Sequence, residues 1–145
     1  MPTGWEGLPV NSLGDVQELI IASDEDVVRV RQAVRVLAVT AKLSLVDQTK
    51  LVTAASELAR NTLIYGGGGR AQLEVAVDGR RSGVRVCFVD EGPGILDVDL
   101  ALSDGWTSGS GLGLGLPGAR RLVDGFFLDT AAGKGTRVEI VKWAR

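Results

Sequence analysis

The segment from Gly105 to Gly118 limits the folds open to this chain, because six of its fourteen residues are glycine. Glycine loses much backbone entropy on folding and has no side chain to pack, so we do not expect this segment to belong to a core. The core must therefore come from the apolar residues on either side of it. The segment leads towards Pro117, and proline is suited to the first turn of a helix.

The spacing of apolar residues divides the rest of the chain into helices and strands. Two early segments have apolar side chains at helical spacing, and Ser23 with Asp26 three positions later predicts the start of the first helix. Alternating or continuous apolar runs predict strands, joined as one hairpin on each side of the loop. The predicted elements are a strand at 16–22, helices from Ser23 to about Lys42 and from Val46 or Asp47 to Tyr65, strands at 71–78 and 84–89, one or two helical turns within 97–104, a helix from Pro117 to Gly125, and strands at 126–131 and 136–143.

This order of elements predicts an α/β fold of the two-layer sandwich type. Strands joined by short turns pair in an antiparallel way, and helices that are apolar on one side cover one face of a sheet. We therefore expect a mixed, mostly antiparallel sheet with the helices on one face. A length of 145 residues fits one domain. Residues 1–15, with three glycines and two prolines, are expected to form a flexible N-terminal arm, and residues 16–145 the single domain.

The residue types that the chain lacks exclude several kinds of chemistry. It has no histidine, which excludes histidine general bases, histidine metal ligands and Ser-His-Asp triads. Its single cysteine, Cys87, lies in an apolar run and is expected to be a buried core residue. A formal net charge of −2 favours neither nucleic-acid nor membrane binding. Because the N-terminus lacks the pattern of a leader peptide, we expect a cytoplasmic protein.

Glu57 and Asn61 lie four residues apart on the second predicted helix, so both project from one helix face. A carboxylate there can accept a proton from a hydroxyl group, and an asparagine oxygen is a hard ligand suited to Mg²⁺. The alternative is an ordinary solvated helix face.

Asp90 ends a predicted strand, directly before the turn-forming residues Glu91-Gly92-Pro93-Gly94. A carboxylate at this edge can accept a hydrogen bond from an exocyclic amine, and the glycines allow a flat ring to approach the backbone. A plain turn is the alternative.

The segment from Gly109 to Gly118 leads from flexible backbone into a predicted helix with Arg120 and Arg121 in its first turn. Free amide groups, the helix dipole and two cations favour a phosphate chain there. The spacing also matches a dinucleotide-binding fingerprint, but no strand precedes it, so we reject that match. Gly133 and Lys134 are expected to form a β-hairpin turn, because the spacing of a phosphate-binding P-loop is absent.

Four motifs follow one another along the chain: Glu57-x-x-x-Asn61, Asp90-x-Gly92-x-Gly94, Gly109-x-Gly111-x-Gly113-x-Gly115 and Gly135-Thr136. In this order they resemble the N, G1 and G2 boxes and the final threonine of the GHKL ATPase/kinase superfamily. Within it, the segments 56–61, 90–95, 114–118 and 142–145 are similar to the RsbT-type switch kinases of bacterial stress signalling, with the RsbW-type anti-sigma kinases as the nearest relatives. The similarity covers residues 16–145.

The resemblance implies a Bergerat-type sandwich that binds ATP and Mg²⁺ between its helical layer and a mobile lid. It implies that Asn61 coordinates Mg²⁺ and that Glu57 is the catalytic base towards the substrate hydroxyl. It also implies that Asp90, supported by Thr136, binds the adenine amino group, and that Arg60 flanks the nucleotide or the protein substrate. The other nucleotide-binding residues that it implies are Gly92, Gly94 and Ile95 near the base and Gly109, Ser110, Gly111, Leu112, Gly113, Leu114 and Gly115 in the lid.

The resemblance further implies a serine/threonine protein kinase that phosphorylates a STAS-domain partner of the RsbS or RsbR kind. Once released, such a kinase activates a PP2C-like, RsbU-like phosphatase in a stress-response partner-switching pathway. The acceptor must lie on another protein, because the chain has no histidine to phosphorylate. The alternative is a nucleotide-gated binding module or anti-sigma factor that sequesters a sigma factor or a regulator without catalysis. An ATP-driven clamp is disfavoured, because a chain of this length has no room for a transducer domain.

One departure from the family pattern is the unbroken run Gly66–Gly69, where a cation is expected among the glycines. Arg70 is the nearest substitute for it. Trp106, beside the lid, is equally consistent with a lid anchor, a partner contact or a core residue.

Overall fold

The computed structural model of the chain describes residues 11–12, 16–95, 101–102 and 115–145. The predicted lid residues Gly109–Leu114, Trp106 and most of the N-terminal arm lie outside these ranges, as does most of the segment 97–104, of which Ala101 is helical. The elements are β1 (Asn11–Ser12), β2 (Gln17–Ile21), α1 (Asp24–Thr40), α2 (Leu45–Ile64), β3 (Gly69–Asp78), β4 (Arg81–Asp90), α3 (Gly115–Arg121), β5 (Gly125–Thr130) and β6 (Thr136–Trp143).

The strands form one six-stranded sheet in the order β1-β3-β4-β6-β5, with β2 pairing beside β1 on the same edge of β3. All strand pairs in the described ranges are antiparallel, which confirms the predicted sandwich with its mostly antiparallel sheet. The register pairs Asp90, the last residue of β4, with Gly69 on one side and Thr136 on the other. Two distant segments are thereby brought to one strand end.

Helices α1 and α2 both begin at serine caps. Ser23 confirms the predicted start of α1, whereas α2 begins at Leu45, one residue before the first of its two predicted starts, with Ser44 as a cap that was not predicted. Ser23 Oγ accepts a hydrogen bond from the amide of Asp26 at 3.3 Å, and Ser44 Oγ accepts one from the amide of Asp47 at 3.1 Å. Each cap satisfies an amide that has no partner within its helix. The apolar sides of both helices pack on the sheet face that carries Val86, which places the core between the two layers. In the described part of the chain, no helix combines the length and apolar character needed to span a membrane.

Helix α3 differs from its prediction at both ends. It begins at Gly115, two residues before Pro117, where Gly115 has a φ of 66° that favours glycine. It ends at Arg121, so Arg120 and Arg121 occupy its last turn and not its first. The expectation that these two cations lie in the first turn of the helix is therefore wrong.

The face of the sheet away from the helices carries buried charged residues, which the sequence analysis did not predict. Arg85 Nη2 lies 2.7 Å from Glu74 Oε1, and Arg137 Nη2 lies 3.2 Å from Glu139 Oε1. Cys87 is fully buried among them, as predicted, and burial raises the pKa of its thiol to about 12. A protonated, inaccessible thiol does not act as a nucleophile.

A buried lysine links the start of α2 to the sheet and to the turn after α3. Lys142 Nζ on β6 lies 3.6 Å from Asp47 Oδ1 and 3.6 Å from Asp124 Oδ1. Asp124 Oδ2 also accepts a hydrogen bond from the amide of Trp143 at 2.7 Å. The network therefore connects residues about 20 and about 95 positions apart in the chain, and it holds α2, which carries Glu57 and Asn61, against β6.

We expect Lys142→Met to lower the free energy of unfolding by about 1–3 kcal/mol, because two largely buried carboxylates lose their shared cation. Chemical denaturation monitored by circular dichroism measures this change. Arg145→Met is the matched control, since Arg145 pairs with the same Asp124 but is 62% exposed, and its loss should cost about 0–1 kcal/mol. Equal losses in the two variants would contradict a role for burial in this network.

Candidate functional site

A cavity of about 720 Å³ opens between the helical layer and the end of the sheet, a volume typical of small-molecule sites. Its walls come from the last turns of α2, the end of β4 and the loop after it, the start of α3, and the β5–β6 turn. The lining residues are Leu58, Asn61, Thr62, Tyr65, Gly66, Phe88, Asp90, Pro93, Gly94, Ile95, Ala101, Gly115, Leu116, Ala132, Gly133, Thr136 and Val138.

Asn61 and Glu57 project from the same side of α2, one helical turn apart. Asn61 lines the cavity, and in the described part of the chain its side chain forms no hydrogen bond. Glu57 is half-buried one turn earlier and does not line the cavity. The two residues therefore differ in position: Asn61 lines the cavity, and Glu57 does not.

Asp90 lies at the end of β4 and lines the cavity. Its Oδ1 accepts a hydrogen bond from the amide of Gly92 at 2.9 Å, which closes a tight turn. Burial raises the pKa of Asp90 above its usual range, and backbone hydrogen bonds from Gly92 and Thr136 oppose this increase. A half-buried carboxylate with no ion-pair partner in the described ranges favours a ligand that can donate a hydrogen bond to it.

Gly66, the first residue of the run Gly66–Gly69, has a steric cause at Asp90. A Cβ atom on Gly66 would lie 2.4 Å from Asp90 Cγ, and a Cβ atom on Gly92 would lie 2.8 Å from Gly66 Cα. The end of α2 and the turn after β4 thus approach as closely as backbone allows. Arg70 does not substitute for a cation at the cavity, because its Nε lies 3.7 Å from Glu18 Oε1 on the far side of the sheet.

Thr130, at the end of β5, connects three parts of the site. Its hydroxyl accepts a hydrogen bond from the amide of Ile95 at 3.0 Å and donates one to the carbonyl of Gly135 at 3.1 Å. It also lies 2.9 Å from the hydroxyl of Thr136. Because Thr130 has one proton, Thr136 must donate in this last bond. The Thr136 oxygen therefore keeps lone pairs that can accept a hydrogen bond from a ligand.

Close backbone contacts hold the loop after β4 against the β5–β6 turn. Gly94 has a φ of 76°, and a Cβ atom there would lie 2.1 Å from the carbonyl oxygen of Ala131. The amide of Gly133 donates to the carbonyl of Pro93 at 2.7 Å. Gly135 has a φ of 82°, and a Cβ atom there would lie 2.2 Å from the carbonyl oxygen of Asp90. These contacts explain why glycine occupies both positions, and they confirm the hairpin turn predicted at Gly133.

The cavity combines apolar walls with a few polar groups at its edges. Leu58, Phe88 and Val138 supply apolar lining suited to a flat ring, while Asp90 and Thr136 supply acceptors. Asn61 adds a side-chain amide to the lining. The described residues contain no group of three or more carboxylate, cysteine or histidine side chains that could hold a metal ion, so a cation here would need oxygens from a ligand and from water.

The structure brings together most of the predicted site residues that it describes. Asn61, Asp90, Gly94, Ile95, Gly115 and Thr136 line one cavity, whereas Glu57 and Gly92 lie directly beside it and Arg60 is exposed. The predicted residues 109–114 lie outside the described ranges. Sequence reasoning missed Tyr65, Gly66 as a wall residue, and Thr130. The glycine run after α2 was a usable signal for Gly66, but a lone threonine at a strand end gave none for Thr130.

Comparisons with known proteins agree with this geometry. Residues 46–144 match the family described as histidine kinase-, DNA gyrase B-, and HSP90-like ATPase. The chain is 41% identical over 125 residues to the serine/threonine-protein kinase RsbT of Bacillus subtilis strain 168, covering 86% of this chain and 94% of that protein. A crystal structure of the RsbU and RsbW domains of a Mycobacterium tuberculosis protein superposes with a TM-score of 0.63 at 21% identity. It covers 91% of this chain and 33% of that one, and at this identity it supports the fold alone.

Proposed function

The chain belongs to the histidine kinase-, DNA gyrase B- and HSP90-like ATPase family and, within it, to the RsbT-type serine/threonine-protein kinases, and from this premise we propose that it transfers the γ-phosphoryl group of ATP to a serine or threonine of a STAS-domain protein. The observation that carries the proposal is the convergence of Asn61, Asp90 and Thr136 on one cavity, with Glu57 one helical turn outside it. A nucleotide fits inside such a site while a protein hydroxyl approaches from its edge.

The adenine ring is proposed to lie between the apolar walls, with its amino group donating a hydrogen bond to Asp90. Thr136 can accept a second hydrogen bond, directly or through water, because its own proton is directed to Thr130. Gly94 and Ile95 provide backbone close to the ring. Gly92 and the residues 109–115 are proposed, by family membership, to complete the site around the base and the phosphates.

Mg²⁺ is proposed to bind at Asn61. The residues present fit such an ion, because Asn61 lines the cavity and its side-chain amide has no hydrogen-bond partner among the described residues. Mg²⁺ commonly takes one or two protein ligands and completes its shell with phosphate oxygens and water. When bound with ATP, the ion neutralises charge on the phosphates.

Glu57 is proposed to be the base that accepts the proton of the substrate hydroxyl. The hydroxyl oxygen forms a bond to the γ-phosphorus as the bond from that phosphorus to the β–γ bridging oxygen breaks, and ADP leaves. The proton passes to the Glu57 carboxylate. Its place outside the cavity wall suits this role, since the acceptor belongs to another protein. Arg60, exposed on the next turn of α2, is proposed to contact the nucleotide or that protein.

The partners are proposed from membership of the RsbT type. The substrate is a STAS-domain protein of the RsbS or RsbR kind, and the kinase released from it activates a PP2C-like, RsbU-like phosphatase. A second candidate function is a nucleotide-gated binding module that holds a sigma factor or regulator without catalysis. The position of Glu57 favours this candidate too, because a site whose walls exclude the base can bind ATP without it.

Thermal unfolding with ATP or ADP, each with and without Mg²⁺, tests the nucleotide site. Ligand at about 100 times its dissociation constant should add about 2.7 kcal/mol to the free energy of unfolding, which raises the midpoint by about 5–10 °C for a chain of this size. We expect Asn61→Ala to lose most of the Mg²⁺-dependent part of the shift. Gln32→Ala, which removes an exposed amide from α1, should keep all of it. A missing shift in the wild-type protein would contradict the proposal.

A further inference from the structure

Four exposed apolar side chains cluster where α1 ends and α2 begins. Val36 is 63% exposed, Val39 59%, Leu45 72% and Val46 64%. They span the last two turns of α1 and the first turn of α2, on the side of the helical layer away from the sheet. We call these four residues the α1–α2 corner. Scattered exposed apolar residues are normal, but four within eleven positions around one tight connection form a patch.

The α1–α2 corner is surrounded by positive charge. Arg31, Arg35, Lys42 and Lys50 are exposed, and none of them has an ion-pair partner within the described ranges. The one acidic residue between positions 27 and 56 is Asp47, which is buried and paired with Lys142. A chain with a net charge of −2 therefore concentrates unpaired cations at one end of its helical layer.

The backbone of the corner is ordered by specific hydrogen bonds. The amide of Lys42 donates to the carbonyl of Val39, and the amide of Leu43 donates to that of Ala38, both at 3.0 Å. This is a Schellman motif, in which glycine usually occupies the left-handed position. Here Lys42 takes it, with a φ of 67°. Lysine at this position costs stability because its backbone is strained, so stability alone does not explain its presence. It does place a cation beside the apolar side chains.

The corner lies far from the candidate active site. Val46 and Asn61 are fifteen residues apart on one continuous helix, which separates them by roughly 22 Å along its axis. A partner bound at the corner therefore leaves the cavity and Glu57 accessible. This separation carries the inference beyond the proposed phosphoryl transfer.

We propose that the α1–α2 corner is a docking surface for an acidic, amphipathic helix of a partner protein. The apolar side of such a helix would cover the exposed valines and Leu45, and its carboxylates would pair with the surrounding cations. An anionic membrane fits the surface less well. A flat bilayer lying on the helical layer would approach the other end of α1, where Asp24 and Glu25 are exposed, and their negative charges would be repelled by anionic lipids. The corner also has no aromatic side chain of the kind found at membrane interfaces.

Fluorescence anisotropy with the full chain tests the proposal. The probe is a fluorescein-labelled helical peptide with leucine at every third or fourth position and glutamate at the others. We expect Val36→Glu combined with Val46→Glu to weaken binding at least about tenfold. The matched control, Val16→Glu combined with Val28→Glu, makes the same change at exposed valines elsewhere and should alter binding less than about twofold. The ATP-induced thermal shift should be unchanged in both.

Lys42→Gly provides a second test that separates binding from structure. Glycine relieves the positive φ, so the unfolding midpoint should stay equal or rise, while peptide binding should weaken because a cation is lost. Four outcomes would overturn the proposal: no peptide binding at millimolar concentration, equal loss in both double variants, binding to phosphatidylserine vesicles in place of the peptide, or self-association of the chain that the corner variant abolishes.

Discussion

Glu57→Gln is expected to slow phosphoryl transfer to a STAS-domain protein by about 10²–10⁴-fold, the usual contribution of a positioned general base. Glutamine keeps the size of the side chain but cannot take the hydroxyl proton. ATP affinity should change little, because Glu57 does not line the cavity. Transfer of ³²P from labelled ATP measures the rate, and the thermal shift with ATP and Mg²⁺ measures binding in the same preparation.

Glu25→Gln is the matched control for this variant, since it removes a carboxylate that is largely exposed on α1. Its rate of transfer should equal that of the wild-type protein. Loss of ATP binding in Glu57→Gln would show that the carboxylate supports the nucleotide and not the acceptor. Full transfer activity in Glu57→Gln would move the nucleotide-gated binding module ahead of the kinase.

Asp90→Asn is expected to weaken ATP binding by about 10–100-fold, because a hydrogen bond to a charged group contributes about 1.5–3 kcal/mol. The same variant should discriminate less between ATP and GTP. The amino group of adenine donates to a carboxylate, whereas the corresponding oxygen of guanine is repelled by it, and an asparagine can turn its amide to serve either. Titration calorimetry with both nucleotides measures the two affinities.

The free Asp90→Asn protein should be at least as stable as the wild type at pH 7. Burial raises the pKa of Asp90 in the folded chain above its value in the unfolded chain. The protonated carboxyl therefore contributes to the free energy of unfolding, and this contribution is complete below the unfolded pKa of about 3.9. That contribution is lost as the pH rises through the raised folded value. At pH 7 the folded wild type therefore carries a disfavoured charge, and the stability advantage of Asn should shrink as the pH falls towards 4.

Glu91→Gln is the control for Asp90→Asn, because it changes an exposed carboxylate one residue further along the same loop. Its affinity for ATP should match that of the wild type. If Asp90→Asn bound ATP with wild-type affinity and unchanged preference over GTP, the adenine amino group would not be held at Asp90. The nucleotide would then have to lie in the cavity in another orientation.

Much of the local structure could be predicted from the sequence because its causes are short-range. The serine cap at Ser23, the apolar spacing along α1 and α2 and the alternation in the strands act over a few residues, and these helices and strands form close to their expected bounds. The spacing of Glu57 and Asn61 likewise places them on one helix face. α3 was displaced because its start depends on a positive φ at Gly115, which no local pattern indicates.

The order of motifs and residue types thus determined the fold class and most of the predicted residues that line the cavity, whereas only the tertiary structure decided how the cavity is supported. Gly66 contacts Asp90 and Thr130 binds Ile95 across 24 and 35 positions of chain, through contacts that depend on strand register. Lys142 joins β6 to α2 in the same way. Such contacts leave no periodic signal, because each depends on where two distant segments meet once the whole sheet has formed.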